Sequence, residues 1–194
     1  KDNILALDDS SYRYNYNIVE CHGSSGYATN DPARSNAAGI LDDLQNPEGY
    51  PTLFLNLYNC EILNTADTSE FIYNAGCALD NCVKKEGADV GISMAVASLD
   101  DEVYCRANIK SAKHDEYRVN AWLLENNIYA AKQSGAYKDY HKIYDHVLRN
   151  VSEEVCSEDF AGLSIGSLDV GSVYNYSCSI PITNAKWDAN NMEV

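Results

Sequence analysis

Two hydrophobic periods divide the chain. Up to about residue 88, apolar positions recur mainly at helical spacing. Behind Asp31-Pro32, a capping side chain followed by proline in the first turn, Ala33, Ala37, Ile40, Leu41 and Leu44 recur every three or four residues. Asn46-Pro47 closes that helix. A second helix opens at Asp67-Thr68-Ser69-Glu70, carries Phe71, Ile72, Ala75, Leu79, Cys82 and Val83, and ends at Gly87. Tyr16–Cys21 predicts a short strand. The continuous apolar run Leu53-Phe54-Leu55 predicts a fully buried one, with Cys60-Glu61-Ile62-Leu63 as its return partner.

Beyond Ala88 the period falls to two. Val90, Ile92, Met94 and Val96 alternate with small or polar residues, and so do Val103, Cys105, Ala107 and Ile109. The acidic turn Asp100-Asp101-Glu102 between these runs marks a hairpin. Tyr117, Val119, Ala121 and Leu123 predict a third strand turning at Glu125-Asn126-Asn127 into Ile128-Tyr129, and Tyr174 to Ile182 predicts another. Antiparallel strands with one apolar face must bury it against a second layer, which predicts a β-sandwich. The fold class expected is therefore α+β, with a mixed domain over residues 1–88 and a β-sandwich over 89–194.

Charge and composition narrow the function classes. The 194 residues include 29 acidic and 14 basic side chains, a formal net charge of −15 that repels phosphate backbones and anionic lipid. Nucleic-acid binding is not expected, and no apolar run approaches the roughly 20 residues of a membrane-spanning helix. Fifteen tyrosines against three phenylalanines, with abundant asparagine, suggest half-exposed strands and polar loops of an extracellular kind.

The seven cysteines contain no Cys-x-x-Cys pair, so the motif that activates a thiol for disulfide exchange is missing. Cys77 and Cys82 fall on one predicted helix, where five residues rise about 7.5 Å, too far for a bridge. Cys105 and Cys178 both fall on inward strand faces. They would either form a disulfide between the sheets or remain two reduced core thiols.

Other candidate chemistry is sparse. Tyr50-Pro51-Thr52 before an apolar strand is similar to the cis-proline position of thioredoxin-like folds, which could present a carbonyl to a bound peptide or serve structure alone. His141 and Asp145 would share a helix face at i,i+4 and form a weak metal site, against the alternative of a hydrogen-bonded core histidine. The acidic turns at 100–102 and 188–191 lack the spacing of a calcium loop. Gly162-Leu163-Ser164-Ile165-Gly166 matches a nucleophile elbow in letters, yet lies in a strand-like stretch.

The segments IVECHGSSG (18–26), GYPTLFLN (49–56), NAWLLENNIYAAKQ (120–133), YHKIYDHVLRN (140–150) and VYNYSCSIPITNAKWDANNMEV (173–194) together resemble the twenty-eight-kilodalton outer-membrane protein family of Bacteroidetes. That resemblance implies a surface lipoprotein with a thioredoxin-like domain followed by an immunoglobulin-like antiparallel β-sandwich. Family members often carry a strand and a Cys-x-x-Cys helix ahead of the Tyr16–Cys21 strand. Only fifteen residues precede Tyr16 here, so the thioredoxin-like part is expected to lack its first strand and dithiol helix.

The function expected is non-enzymatic binding or adhesion at a bacterial cell envelope: the outer-membrane surface, the periplasm, or a secreted form. The partner would be an extracellular protein or glycan. No cofactor is expected, and membrane attachment would come only through a lipid anchor outside this sequence. The alternative is a thioredoxin-like thiol–disulfide oxidoreductase, or a redox-inactive relative that binds peptides beside Pro51.

Overall fold

The computed structural model describes residues 2–12, 16–22, 31–47, 49–50, 52–55, 60–63, 66–85, 88–131, 138–153 and 162–194. The chain mixes helices with antiparallel sheets, an α+β arrangement, and divides into two compact units. One unit combines residues 1–18 with 45–88, and the other combines 19–44 with 89–194. The change of period near residue 88 predicts that 19–44 belong to the first half. Backbone pairing puts them in the second, because Glu20 bridges Val147 in parallel, its N–H donating to the His146 carbonyl (2.8 Å) and its carbonyl accepting from Leu148 N–H (2.9 Å). The expected strand at Tyr16–Cys21 is reduced to that single bridge.

The first unit contains α1 (Asp2–Asp8), β1 (Thr52–Leu55), β2 (Cys60–Leu63) and α3 (Thr68–Lys85). Asp67 caps α3 by accepting from Ser69 N–H (2.9 Å) and Glu70 N–H (3.2 Å), as the acidic-hydroxyl run predicts. Phe71, Ala75 and Leu79 recur at i+4 and bury one stripe of α3 against Leu7 and Leu55, with Ile4, Tyr12 and Leu53 around them. β1 and β2 form a two-stranded antiparallel sheet with Thr52 opposite Leu63. Leu55 alone of β1 is buried, so the fully buried strand expected at 53–55 is a half-covered hairpin arm. Helix α1 carries no periodic signal strong enough to have been expected. Pro51 and Gly87 lie outside the described residues.

In the second unit, α2 (Asn36–Gln45) begins five residues later than Asp31-Pro32 suggested. Asp31 instead closes a turn by accepting from Ala33 N–H (2.9 Å), and Ser35 is the cap, its hydroxyl accepting from Ala38 N–H (3.1 Å). The helix stops where expected, with Asn46 at φ 45°.

β3 (Val90–Leu99) and β4 (Glu102–Ser111) form the expected hairpin, turning through Asp100 at φ 54°. β11 (Val173–Pro181) pairs with the other side of β4, giving the order β11-β4-β3. The third expected strand is broken in two. β5 (Asp115–Val119) pairs with β10 (Leu163–Leu168), whereas β6 (Trp122–Glu125) lies between β9 (Val147–Val151) and β12 (Met192–Glu193). The break falls at Asn120-Ala121, where Asn120 Oδ1 accepts from Ser152 Oγ (3.2 Å) and Ala121 N–H donates to Ser152 Oγ (2.8 Å). β7 (Ile128–Tyr129) pairs with β8 (Ile143–Tyr144).

The inner residues of β4 and β11 pack against the strands facing them. Val103, Leu123 and Ile180 form one fully buried cluster, with Ala121, Cys178, Ile182 and Met192 around it. Ala107, Ile109 and Tyr176 form a second, with Val119 and Ile165. Alternation along β4 buries Val103, Cys105, Ala107, Ile109 and Ser111 in turn.

Candidate functional site

The same alternation in β3 has a different outcome. Ile92, Met94 and Val96 stand opposite Ile109, Ala107 and Cys105 and share their face, yet they are 64 %, 47 % and 43 % exposed. Their β4 partners are covered by the facing layer, and β3 is not. Alternation predicts a core face here, but period two establishes only that a strand has two faces and not that either is covered.

β3 is also an edge. Among the described residues its sole strand neighbour is β4. Ala112 N–H donates to the Asp89 carbonyl (2.8 Å), which marks 89–112 as a hydrogen-bonded pair. Alternation then directs the backbone groups of Gly91, Ser93, Ala95 and Ala97 toward β4. Those of Val90, Ile92, Met94, Val96 and Ser98 face away from it. The Asp101 carbonyl accepts from Ile182 N–H (2.7 Å) on the opposite side of β4, which fixes the same parity independently. So the residues with outward-facing peptide groups are also those whose side chains form the uncovered stripe. Over its ten residues β3 has no charge, no proline and no register shift, the devices that normally blunt an edge. The lack of charge and proline over Val90–Leu99 is a readable sequence signal.

The other face of this sheet forms a shallow depression of about 620 Å³, where Ala95, Ala97, Ser177 and Ser179 leave Tyr104 and Arg106 prominent. The Tyr104 hydroxyl is tied to Glu102, which raises its pKa.

A second polar cluster lies around the 19–44 segment. The Nδ1–H of His22 donates to Asp31 Oδ2 (2.6 Å), because a carboxylate can only accept, and the ring meets Tyr144 edge-on at 4.6 Å. Ser35 Oγ donates to the Leu148 carbonyl (2.5 Å), and Arg149 donates to the Arg34 carbonyl (3.2 Å) and to Glu125 (2.6 Å). The Ser35–Leu148 and Arg149–Arg34 bonds tether the segment to β9. Burial pushes the Tyr144 phenol up to about 12, helped by Glu20 and Asp31. Burial alone would raise Asp31, but the bond from His22, the Ala33 N–H and the charges of His22 and Arg149 bring it below the usual carboxylate value.

That direction makes a pH prediction. A carboxyl whose folded pKa is depressed contributes stability above its unfolded pKa of about 3.9, and the contribution is lost as pH falls through the folded value. The wild-type thermal midpoint should therefore fall more steeply below about pH 4 than that of Asp31→Asn. The variant should already be less stable at neutral pH, by roughly 1.5–3 kcal/mol for a weakened charged hydrogen bond. Parallel profiles from pH 2 to 7 would contradict this assignment.

The sequence candidates are not brought together. Tyr50 is 65 % exposed, and Thr52 begins β1. His141 and Asp145 do not share a helix face. Residues 139–142 form a 3₁₀ turn, β8 and a bend follow, and Asp145 accepts from Asn127 N–H (2.9 Å). The extended residues Ile143 and Tyr144 separate His141 from Asp145, which ends any helical spacing between them. Among the described residues no group of three or more His, Cys, Asp or Glu side chains could hold a metal. Asp188 caps its own turn by accepting from Asn190 N–H (2.9 Å), and Ser164 lies exposed within β10.

Cys105 and Cys178 stand directly opposite each other on β4 and β11, in one sheet and not across two, and both are free. Burial, then the neighbouring Cys178, raises the Cys105 thiol. Cys21 keeps accessible surface as a residue, yet burial of its thiol, with Asp42 and Glu20 beside it, pushes its pKa up to about 12. Thiols held protonated are poor nucleophiles.

No protein-family model, curated protein or solved structure matches the chain.

Proposed function

We propose that this protein is a non-enzymatic binding or adhesion module of a bacterial cell envelope, at the outer-membrane surface, in the periplasm or secreted. The observation that carries the reading is the uncovered apolar edge at Ile92, Met94 and Val96. A soluble chain gains nothing from leaving such a strand open unless a partner covers it. The acidic, tyrosine-rich and asparagine-rich composition supports an extracellular setting, and Tyr104 and Arg106 offer a second contact face for a protein or glycan.

The finer architecture belongs to the same proposal: an incomplete thioredoxin-like first unit and an immunoglobulin-like second one, as in the Bacteroidetes outer-membrane family. The β1–β2 hairpin leading into α3, directly after Tyr50-Pro51, supports the first part. Face-to-face antiparallel layers support the second. Screening the folded protein against matrix proteins and glycans at physiological salt should yield saturable binding. Purely non-specific retention would overturn the reading.

An oxidising envelope also bears on the paired thiols. Hydrogen-bonded antiparallel neighbours sit about 5.5 Å apart at Cα, within the span of a disulfide. Cys105 and Cys178 are expected to close one in glutathione disulfide, passing two electrons and two protons to the oxidant. Mass spectrometry after alkylation should then show two fewer labels, a loss absent in Cys178→Ser. An unchanged label count would contradict the pairing.

A further inference from the structure

The outer edge of β3 has a specific shape and charge. Its outward peptide groups belong to Val90, Ile92, Met94, Val96 and Ser98, and the side chains of Ile92, Met94 and Val96 line one uncovered face. A strand added there would place every second side chain beside that stripe, so it needs apolar residues at alternate positions. The residues between them would lie over Ser93, Ala95 and Ala97, where polar side chains fit.

The ends of the edge are acidic. Asp89 lies at one end, with Lys113 shared between it (3.3 Å) and Asp115 (3.1 Å). Asp100, Asp101 and Glu102 lie at the other end. From Asp89 to Asp100 an extended chain runs roughly 36 Å. A second copy is a poor occupant. Symmetric antiparallel pairing about Met94 would set Asp89 of each copy beside Asp100 of the other, between chains of net charge −15 each.

We propose that the β3 edge captures an extended protein segment with alternating apolar residues and lysine or arginine at both ends, which adds to the sheet as its fourth strand. The inference rests on the binding reading above and names its ligand class. Main-chain pairing with Ile92, Met94 and Val96 supplies the attachment, the alternating side chains cover the stripe, and the basic ends meet Asp89 and the Asp100–Glu102 turn.

The test uses the full chain and a fluorescent peptide of alternating valine and threonine with two lysines at each end. Anisotropy titration should show saturable binding, at least tenfold weaker for the same peptide ended in glutamates. Met94→Pro removes an outward N–H without touching the β4 ladder, a position where an edge strand accepts proline. It should weaken binding at least tenfold while circular dichroism and the thermal midpoint stay near wild type. If Met94→Pro does not fold, Met94→Lys changes only an exposed side chain and should weaken binding similarly. Absence of saturable binding, indifference to the peptide's end charge, or wild-type affinity in the folded Met94 variants would each overturn the proposal. So would a wild-type dimer in sedimentation that Met94→Pro splits, since the edge would then belong to a second copy. If wild type binds matrix proteins or glycans but the peptide shows no saturable, Met94-sensitive binding, the binding function stands and the edge proposal falls.

Discussion

Arg149→Ala should destabilise the second unit by about 3–5 kcal/mol, the usual result of removing one member of a buried ion pair. The side chains of Arg149 and Glu125 are only 2 % and 5 % exposed, and Arg149 Nε donates to Glu125 Oε2 at 2.6 Å. Each partner has further work in the fold. Glu125 Oε1 accepts from Asp188 N–H (2.8 Å), and Arg149 donates to the Arg34 carbonyl while its guanidinium lies 5.2 Å from the Trp187 ring centroid. Truncation would strand a carboxylate away from water and release both the 19–44 segment and the turn before β12. Trp187 fluorescence during urea unfolding should report the loss locally. A double variant, Glu125→Leu with Arg149→Met, should cost less than the sum of the two truncations, because no charge is left buried. A cost below about 1 kcal/mol for Arg149→Ala would mean that the pair is hydrated in solution, as an exposed bridge is.

Leu123→Ala should cost about 2–5 kcal/mol, since it combines lost transfer energy with a cavity among closely packed neighbours. Leu123 is fully buried with Val103 and Ile180 where β6 meets β4 and β11. Leu123→Met, which nearly conserves volume, should cost less than about 1.5 kcal/mol. The informative contrast is Met94→Ala in the same two-layer unit. At an uncovered position it should change stability by no more than about 0.5 kcal/mol. Urea titrations of the three variants side by side check this. If Met94→Ala were as costly as Leu123→Ala, the β3 stripe would be covered in solution.

These contrasts explain why parts of the site could be read in advance and parts could not. The β3–β4 hairpin, the strand at 173–181 and the helix capped by Asp67 follow from local period and capping chemistry, and all are present. The uncovered state of β3 does not follow from its alternation, because coverage depends on strands distant in sequence. Asp31-Pro32 carried a helix-start signal, but the Asp31 carboxylate is engaged by His22 and the cap passes to Ser35. His141 and Asp145 suggest a helix face by spacing alone, but residues 143–144 are extended because they pair with Ile128 and Tyr129, which lie far back in the chain.

By itself, then, the amino-acid order determined the α+β class, the change of period near residue 88 and the main hairpin, since each arises from neighbours a few residues apart, and its composition alone set the acidic net charge. Only the tertiary structure decided that 19–44 joins the second unit, that Cys105 faces Cys178 within one sheet, and that β3 ends that sheet uncovered. Those outcomes depend on pairing across dozens of residues, where the winning partner is chosen by burial and hydrogen bonding over the whole unit and not by any local preference.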